Sequence, residues 1–161
     1  MHHVSKSFGI ALFMFGCCLF VATLSAAQSK AVVYQLSKGG TAIDVRGIRH
    51  WGREYPKYRA PWNFADRLAA VAPEYPTLDR HSHHRGVGFF RIFIDPTRGT
   101  VSNVAILKST GYASLDNDAV AALRHWRWKA GTWKEVDLPV EFRLTLGPPP
   151  NPPAGSIPLI R

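Results

Sequence analysis

The sequence predicts an α+β domain in which one helix packs on a three-stranded antiparallel sheet, in the order β-β-α-β, with a short helix before the first strand. Two stretches, 86–94 and 138–146, alternate apolar residues with other residues in the manner of half-buried strands. Between them, apolar residues recur at helical spacing over 115–126. The chain has 161 residues, which is enough for one such domain with extensions at both ends.

The N-terminus carries an export signal. Lys6 precedes an uncharged, mostly apolar run from Phe8 to Ala27, and this run ends in small residues. Residues 1–27 are therefore predicted to be a signal peptide, cleaved after Ala26 or Ala27, or a single transmembrane anchor. Either reading places the rest of the chain in the periplasm, soluble after cleavage or anchored to the inner membrane by residues 8–27.

Both cysteines, Cys17 and Cys18, lie within this run, so the exported domain is expected to contain no disulfide. A lipid attached at Cys17 is a third reading of the N-terminus. It is disfavoured by Met14, which stands where a lipoprotein signal usually has Leu.

Residues 28–72 are predicted to form an extension without sustained periodicity. Within it, Phe64, Leu68 and Val71 recur at helical spacing after Asn63, a good helix cap, and Pro73 follows. This pattern predicts a short helix near 63–72.

The first two strands are predicted to form a hairpin. Phe90, Ile92 and Ile94 fall on one face of the first strand, and Phe89 and Phe93 fall on the other. The turn residues at 95–99 precede a returning strand over 101–107. Because two aromatic rings are rarely left bare on a sheet, the extension before Pro73 is expected to cover Phe89 and Phe93.

The helix is predicted over 115–129, capped by Ser114 and closed by Gly131, with Leu115 and Trp126 on its apolar face. In the last strand Val140 and Phe142 point inward. The predicted core comprises Phe90, Ile92, Ile94, Leu115, Trp126, Val140 and Phe142.

Pro139 lies in the outward-facing set of the last strand. Because proline has no N–H group to donate, it predicts that this strand lies at an edge of the sheet. Residues 147–161 then form a proline-rich tail, and its first part, 147–153, is not expected to join the sheet.

Residues 73–146 resemble the C-terminal domain of the TonB energy-transducer family. The resemblance rests on the Pro-Glu-Tyr-Pro segment at 73–76, on 90–94, on 104–111, on the Trp-Arg-Trp at 126–128 and on 138–144, in this order and at the family's spacing. It implies a periplasmic domain that captures an extended segment of a TonB-dependent outer-membrane receptor by strand addition, in support of transmembrane transport. The residues expected at such a partner-binding edge are Tyr75, Pro76, Pro139, Glu141, Arg143 and Thr145.

The chain departs from the family's energised members in its apolar run. Coupling in the family depends on a Ser and His pair within the membrane helix, whereas this run has no His and only Ser25 near its end. The spacer between Gln28 and Pro73 also contains few prolines. Both departures argue against coupling to an ExbB/ExbD-type proton-channel complex.

The net charge of +9 favours anionic partners. A basic periplasmic module that binds the envelope, without energy transduction, is therefore the alternative function. The sequence has no motif for catalysis or for a phosphate-binding loop, so the protein is predicted to be neither an enzyme nor a cofactor carrier. Three histidines lie within four residues, at 81, 83 and 84, but without a nearby Cys or paired carboxylate they do not suffice to predict a metal site. The 126–128 segment does not suffice to predict a nucleic-acid site, and dimerisation is left open.

Overall fold

The structure, a computed structural model, describes residues 30–36, 39–145 and 156–158. For 30–36, 58, 145 and 156–158 it describes the backbone alone. The predicted signal or anchor at 1–27 lies outside the described residues, as does the 147–153 part of the tail.

Nine strands and two α-helices follow one another, together with single 3-10 turns at Gly52–Glu54, Pro56–Tyr58 and Pro61–Asn63. The strands are β1 (Lys30–Leu36), β2 (Thr41–Asp44), β3 (Arg49–Trp51), β4 (Arg67–Ala69), β5 (Gly86–Ile94), β6 (Val101–Lys108), β7 (Arg127–Trp128), β8 (Trp133–Thr145) and β9 (Ser156–Pro158). The helices are α1 (Thr77–His81) and α2 (Ala113–Leu123).

The predicted β-β-α-β unit is confirmed as β5, β6, α2 and β8. β5 pairs with β6 on one side and with β8 on the other, and α2 packs against β5 and β6. The alternation of the sequence is reproduced as alternating burial along β5. All the predicted core residues are buried: Phe90, Ile92, Ile94, Leu115, Trp126, Val140 and Phe142.

The sheet is larger than the predicted three strands, because β1, β2, β3 and β9 extend it to seven. β2 and β1 pair antiparallel with successive halves of β8, β3 flanks β2, and β9 flanks β1. Residues 156–158 of the tail therefore join the sheet through β1. The fold remains α+β.

The prediction of a helix near 63–72 is wrong. The segment contains the end of a 3-10 turn and then β4, which pairs with β7. Two of the three residues of the presumed apolar stripe are exposed, Leu68 at 65% and Val71 at 45%, and Phe64 is partly buried, so the stripe does not form one buried face. The short helix before the first strand of the unit is instead α1.

The extension contributes to the core through Trp62, which is fully buried. Its ring packs edge-on against Trp133 at a centroid distance of 5.2 Å and against Tyr55 at 5.4 Å. Its carbonyl oxygen accepts a hydrogen bond of 2.7 Å from the indole N–H of Trp128. Because these contacts join residues far apart in sequence, residues 39–72 and the β-β-α-β unit share one core.

The helix is shorter than predicted, since it ends at Leu123 and its N-cap is Tyr112, not Ser114. Trp126 and Trp128 are buried beyond its end, and the indole N–H of Trp126 donates to the carbonyl oxygen of Val71 at 2.7 Å. Two buried indoles need acceptors, and the backbone of the extension supplies them. Phe89 and Phe93, expected to be covered, are each half-buried.

We predict that Trp62→Ala lowers the free energy of unfolding by about 3 to 5 kcal/mol, as Phe142→Ala should, because each leaves a large cavity in the shared core. Urea denaturation of the two variants measures this. Leu68→Ala, at an exposed position of the same segment, should change stability by less than about 0.5 kcal/mol. A loss at Trp62 no larger than that at Leu68 would show that the extension is not part of the core.

Candidate partner-binding site

The strand expected at the sheet edge, β8, is the central strand of the sheet, so the prediction from Pro139 is wrong. On one side β8 pairs with β5 from Phe142 back to Glu135. On the other side β2 pairs with its first part, from Trp133 to Asp137, and β1 pairs with its last part, from Val140 to Thr145. The edge on which the expected partner would add is occupied by the chain's own N-terminal strands.

Pro139 lies where those two strands meet. The β2 register ends at Asp137 and the β1 register begins at Val140, so within the described chain neither β1 nor β2 has a Cα partner for Leu138 or Pro139. A residue that has no N–H group fits at such a break in the ladder. Proline therefore marks the junction between two added strands rather than a free edge.

The face of β8 turned away from α2 carries a row of ion pairs. Arg143 binds Glu141 at 2.6 Å, and Arg91 on β5 donates two hydrogen bonds of 2.8 Å to Asp137. Arg91 also lies 3.2 Å from Glu135. Donating these hydrogen bonds to Asp137 raises the pKa of Arg91, so this guanidinium stays charged.

This row places two of the expected partner-binding residues, Glu141 and Arg143, side by side and partly exposed. Pro139 lies on the same face but is buried. The backbone of Thr145 continues the strand, and its side chain is outside the described part.

Tyr75 and Pro76 lie apart from this face. Tyr75 is 9% exposed, its ring packs edge-on against Phe142 at 5.5 Å, and its hydroxyl donates a hydrogen bond to the carbonyl oxygen of His84. Burial raises the pKa of Tyr75, which keeps that donor protonated. Pro76 is half-buried and caps the start of α1. In this structure Tyr75 supports β8 from the helix-covered face.

A buried carboxylate that no sequence pattern marks joins α1 to α2. One oxygen of Asp79, a residue only 4% exposed, accepts a hydrogen bond of 2.8 Å from the hydroxyl of Ser114 and lies 2.7 Å from Nδ1 of His84. The ring of His84 in turn stacks on Tyr112 at 3.9 Å. This group fixes the loop before β5 against the start of α2, where a negative charge is favourable.

His84 is thus engaged in a structural contact. Among the described residues no group of His, Cys, Asp or Glu is arranged to hold a metal ion. None of the helices in this described part has the length and hydrophobicity of a membrane span.

The outer edge of β6, unlike both edges of β8, has no partner strand in the described part of the chain. In the described part of the chain β6 pairs only with β5, and Ile106 and Leu107 on it are 45% and 47% exposed. The fold therefore closes the edge of β8 and leaves that of β6 open.

This architecture defines a class of protein: an α+β domain in which strands add to the last strand of a β-β-α-β unit. Residues 71–144 match the family of the Gram-negative bacterial TonB protein C-terminal domain. This part of the chain therefore matches the TonB C-terminal family, as the sequence motifs predicted.

Proteins named TonB are similar in sequence to this chain over the same region. Protein TonB of Neisseria meningitidis serogroup C is 36% identical over 72 residues, which cover 45% of this chain and 26% of the relative. Protein tonB2 of Pseudomonas aeruginosa is 33% identical over 86 residues, 50% of this chain and 32% of the relative. Protein TonB of Pasteurella multocida is 36% identical over 75 residues, 44% and 29% respectively. The chain spans about a quarter to a third of the length of these relatives.

We predict that Tyr75→Phe lowers the free energy of unfolding by about 0.5 to 1.5 kcal/mol, because it removes one hydrogen bond and keeps the ring on Phe142. Tyr75→Ala also removes the packed ring and should cost about 3 to 5 kcal/mol. Thermal or urea unfolding of both variants checks this. Equal stability of Tyr75→Ala and the wild type would mean that Tyr75 is free for a partner and does not support β8.

Proposed function

We propose that this chain is a TonB-like periplasmic protein that captures extended segments of TonB-dependent outer-membrane receptors by strand addition to β8, in support of transmembrane transport. The observation that carries the proposal is the edge of β8 between Val140 and Thr145, which already pairs with an added, non-neighbouring strand within a TonB C-terminal domain. An edge that accepts β1 would offer the same backbone donors and acceptors to a peptide that takes the place of β1.

Specificity in such a complex would come from the side chains beside the edge. Glu141 and Arg143 alternate with the buried Val140 and Phe142, so they lie on the face where a bound segment would present every second side chain. Their paired, opposite charges can set the register of a segment that carries the complementary pair. Pro139 limits the pairing at one end, because it has no N–H group to offer.

The proposed function needs neither catalysis nor a cofactor, because binding an extended segment requires only a strand edge and the side chains that flank it. The proposed location is the periplasm, with residues 8–27 acting as signal peptide or inner-membrane anchor. Coupling to an ExbB/ExbD-type complex is not part of the proposal, since the apolar run has no His.

The test is site-specific cross-linking in the bacterial envelope, using the full-length chain with Cys17 and Cys18 replaced by Ser. Single cysteines at Glu141 and Arg143 should cross-link to the periplasm-facing segment of an outer-membrane receptor, identified by mass spectrometry of the linked peptide. A cysteine at Asn117, exposed on α2, is the matched control and should yield no such product. Equal cross-linking from Asn117 and Glu141, or none from either strand position, would contradict strand addition at β8.

A second function has its own support in the hairpin of β2 and β3. Ile48 and Trp51 are 48% and 40% exposed there, and the guanidinium of Arg53 lies 4.9 Å from the Trp51 ring centroid. Exposed apolar and basic groups together suit the surface of an anionic membrane. If the envelope-binding alternative holds, the protein will sediment with phosphatidylglycerol vesicles in a salt-sensitive way, and Trp51→Ala with Arg53→Ala will abolish this without affecting the cross-links from Glu141.

A further inference from the structure

The longest strand edge without a partner in the described chain is the outer edge of β6. This strand has eight residues and pairs only with β5. β3 and β9, which end the other side of the sheet, have three residues each. A long edge that exposes apolar side chains is a template for another strand, and Ile106 and Leu107 are exposed on this one. An added strand would therefore gain both backbone pairing and apolar contact here.

Two register shifts set the length of the regular part of this edge. The ladder with β5 advances evenly over 103–106, and it shifts at Ser102 and at Leu107. Val104 and Ile106 lie opposite buried residues of β5 and so face α2. Because a bulge interrupts pairing, an added segment would form its ladder over 103–106 and would meet the side chain of Ile106 on the α2 face.

A positive charge stands at each end of the edge. Lys108 is the last residue of β6, and Arg127 lies at the other end because it forms an antiparallel bridge with Thr100. Both basic residues are exposed, and neither belongs to the ion pairs of the described residues. The residues between them on the edge, 101–107, carry no charge. An extended segment with a carboxylate at each end would match this pattern over about 20 Å, at roughly 3.3 Å per residue.

Charge argues against a second copy of this chain as the added strand. Antiparallel pairing of two β6 edges would bring Lys108 of each copy to the Arg127 end of the other, and like charges opposite one another are destabilising. The net charge of +9 adds a general repulsion between copies. The complementary partner is therefore a segment of another protein that carries acidic residues.

We propose that the outer edge of β6 is a second partner-binding edge, which takes an extended protein segment with an acidic residue at each end of an apolar stretch. The segment pairs its backbone with 103–106, packs alternate apolar side chains beside Ile106, and places its two carboxylates near Lys108 and Arg127. Because β5 lies between β6 and β8, this site is separate from the edge of β8, and the two edges can hold partners at the same time.

The probe is a fluorescein-labelled peptide, Glu-Thr-Val-Thr-Val-Thr-Glu, whose binding to the full-length chain is measured by fluorescence polarisation. Its two Glu residues are spaced to reach both ends of β6, and its Val side chains fall on one face. A comparison peptide has Lys in place of both Glu residues. The wild-type chain should bind the acidic peptide at least about ten-fold more tightly, since two attractive charge contacts replace two repulsive ones.

Because the whole chain is basic, charge reversal at the site is needed to locate the effect. Lys108→Glu with Arg127→Glu should weaken binding of the acidic peptide at least about ten-fold and strengthen binding of the Lys peptide. The matched control is Arg53→Glu with Lys57→Glu, which makes the same change in net charge at exposed residues of the 3-10 turns that follow β3. Equal weakening by both double variants would reduce the preference to net charge and overturn the proposal.

Backbone pairing is tested on the wild-type chain with two N-methylated forms of the acidic peptide. One form is methylated on its odd-numbered residues and the other on its even-numbered residues. Alternate N–H groups of a strand point to the same side, so strand addition predicts that only one of the two forms loses binding. Loss of binding by both forms, or by neither, would contradict pairing with β6.

Amide hydrogen exchange identifies the edge that is occupied. The bound acidic peptide should slow exchange of the outward amides of 103–106 and leave those of Val140 to Thr145 unchanged. Slower exchange at Val140 to Thr145 alone would place the peptide on β8 and overturn the proposal. A wild-type chain that sediments as a dimer, and as a monomer after Ile106→Lys, would make a second copy the occupant and would overturn it too.

The β6 site is independent of receptor capture. Receptor cross-links from a cysteine at Glu141 should be the same in the Lys108→Glu, Arg127→Glu chain as in the otherwise wild-type chain. Their loss in the double variant would contradict two separate edges. Absence of acidic-peptide binding, with the receptor cross-links retained, would overturn this proposal alone.

Discussion

The pairing of β8 along both of its edges is the interaction on which the rest of the structure depends. β8 has 13 residues, and its inward side chains Val136, Leu138, Val140 and Phe142 are at most 1% exposed. A strand buried on one face needs partners for its backbone on both sides, since an unpaired peptide group in such a setting costs free energy. β5 meets that need on one side, and β2 and β1 share it on the other.

The same requirement explains why the extension folds with the domain instead of trailing from it. β2 brings Ala42 into the core, and the chain that follows places Trp62 beside Trp133 and under Trp128. A small domain buries a modest fraction of its surface, so additional aromatic burial is a substantial part of its stability. Both cysteines stand at positions 17 and 18, so the described residues contain no cysteine and the domain is stabilised by packing of this kind without a disulfide.

The sequence predicted the elements whose side chains repeat with a clear period and failed where a short pattern or a single residue carried the inference. The alternation in β5 and β8 and the stripe on α2 led to the correct unit and the correct core, because burial of one face imposes a period on the sequence. Phe64, Leu68 and Val71 formed too short a pattern to specify a helix, and Trp62 just before them proved to be the buried residue.

The central position of β8 in the sheet could not be predicted from its own sequence, for a physical reason. Pro139 shows that one N–H group is missing, but it carries no information on whether the chain's own strands end on either side of that position. Nor does periodicity identify which distant segment pairs with an edge, because a short strand of almost any pattern can satisfy backbone groups. The buried position of Tyr75 and the Asp79 contacts likewise depend on packing between α1 and α2.

An edge that must receive a strand is also an edge that can aggregate, and proteins usually cover or distort such edges. Here a segment of the same chain covers it, while the open edge of β6 has no such cover in the described structure. In the described chain, the central strand β8 is thereby paired along most of both of its edges. Between Val140 and Thr145 the closure of this edge depends on its occupancy by β1.

Residue-resolved amide hydrogen exchange of the full-length protein, free of any partner, tests most directly whether β1 occupies the edge of β8. If β1 closes the edge, the amides of Val140 to Thr145 that face away from β5 will exchange at least ten times more slowly than the outward amides of Ser102 to Lys108 on β6. Comparable, fast exchange at the two sets would mean that the edge of β8 is open in solution, contrary to the pairing described here.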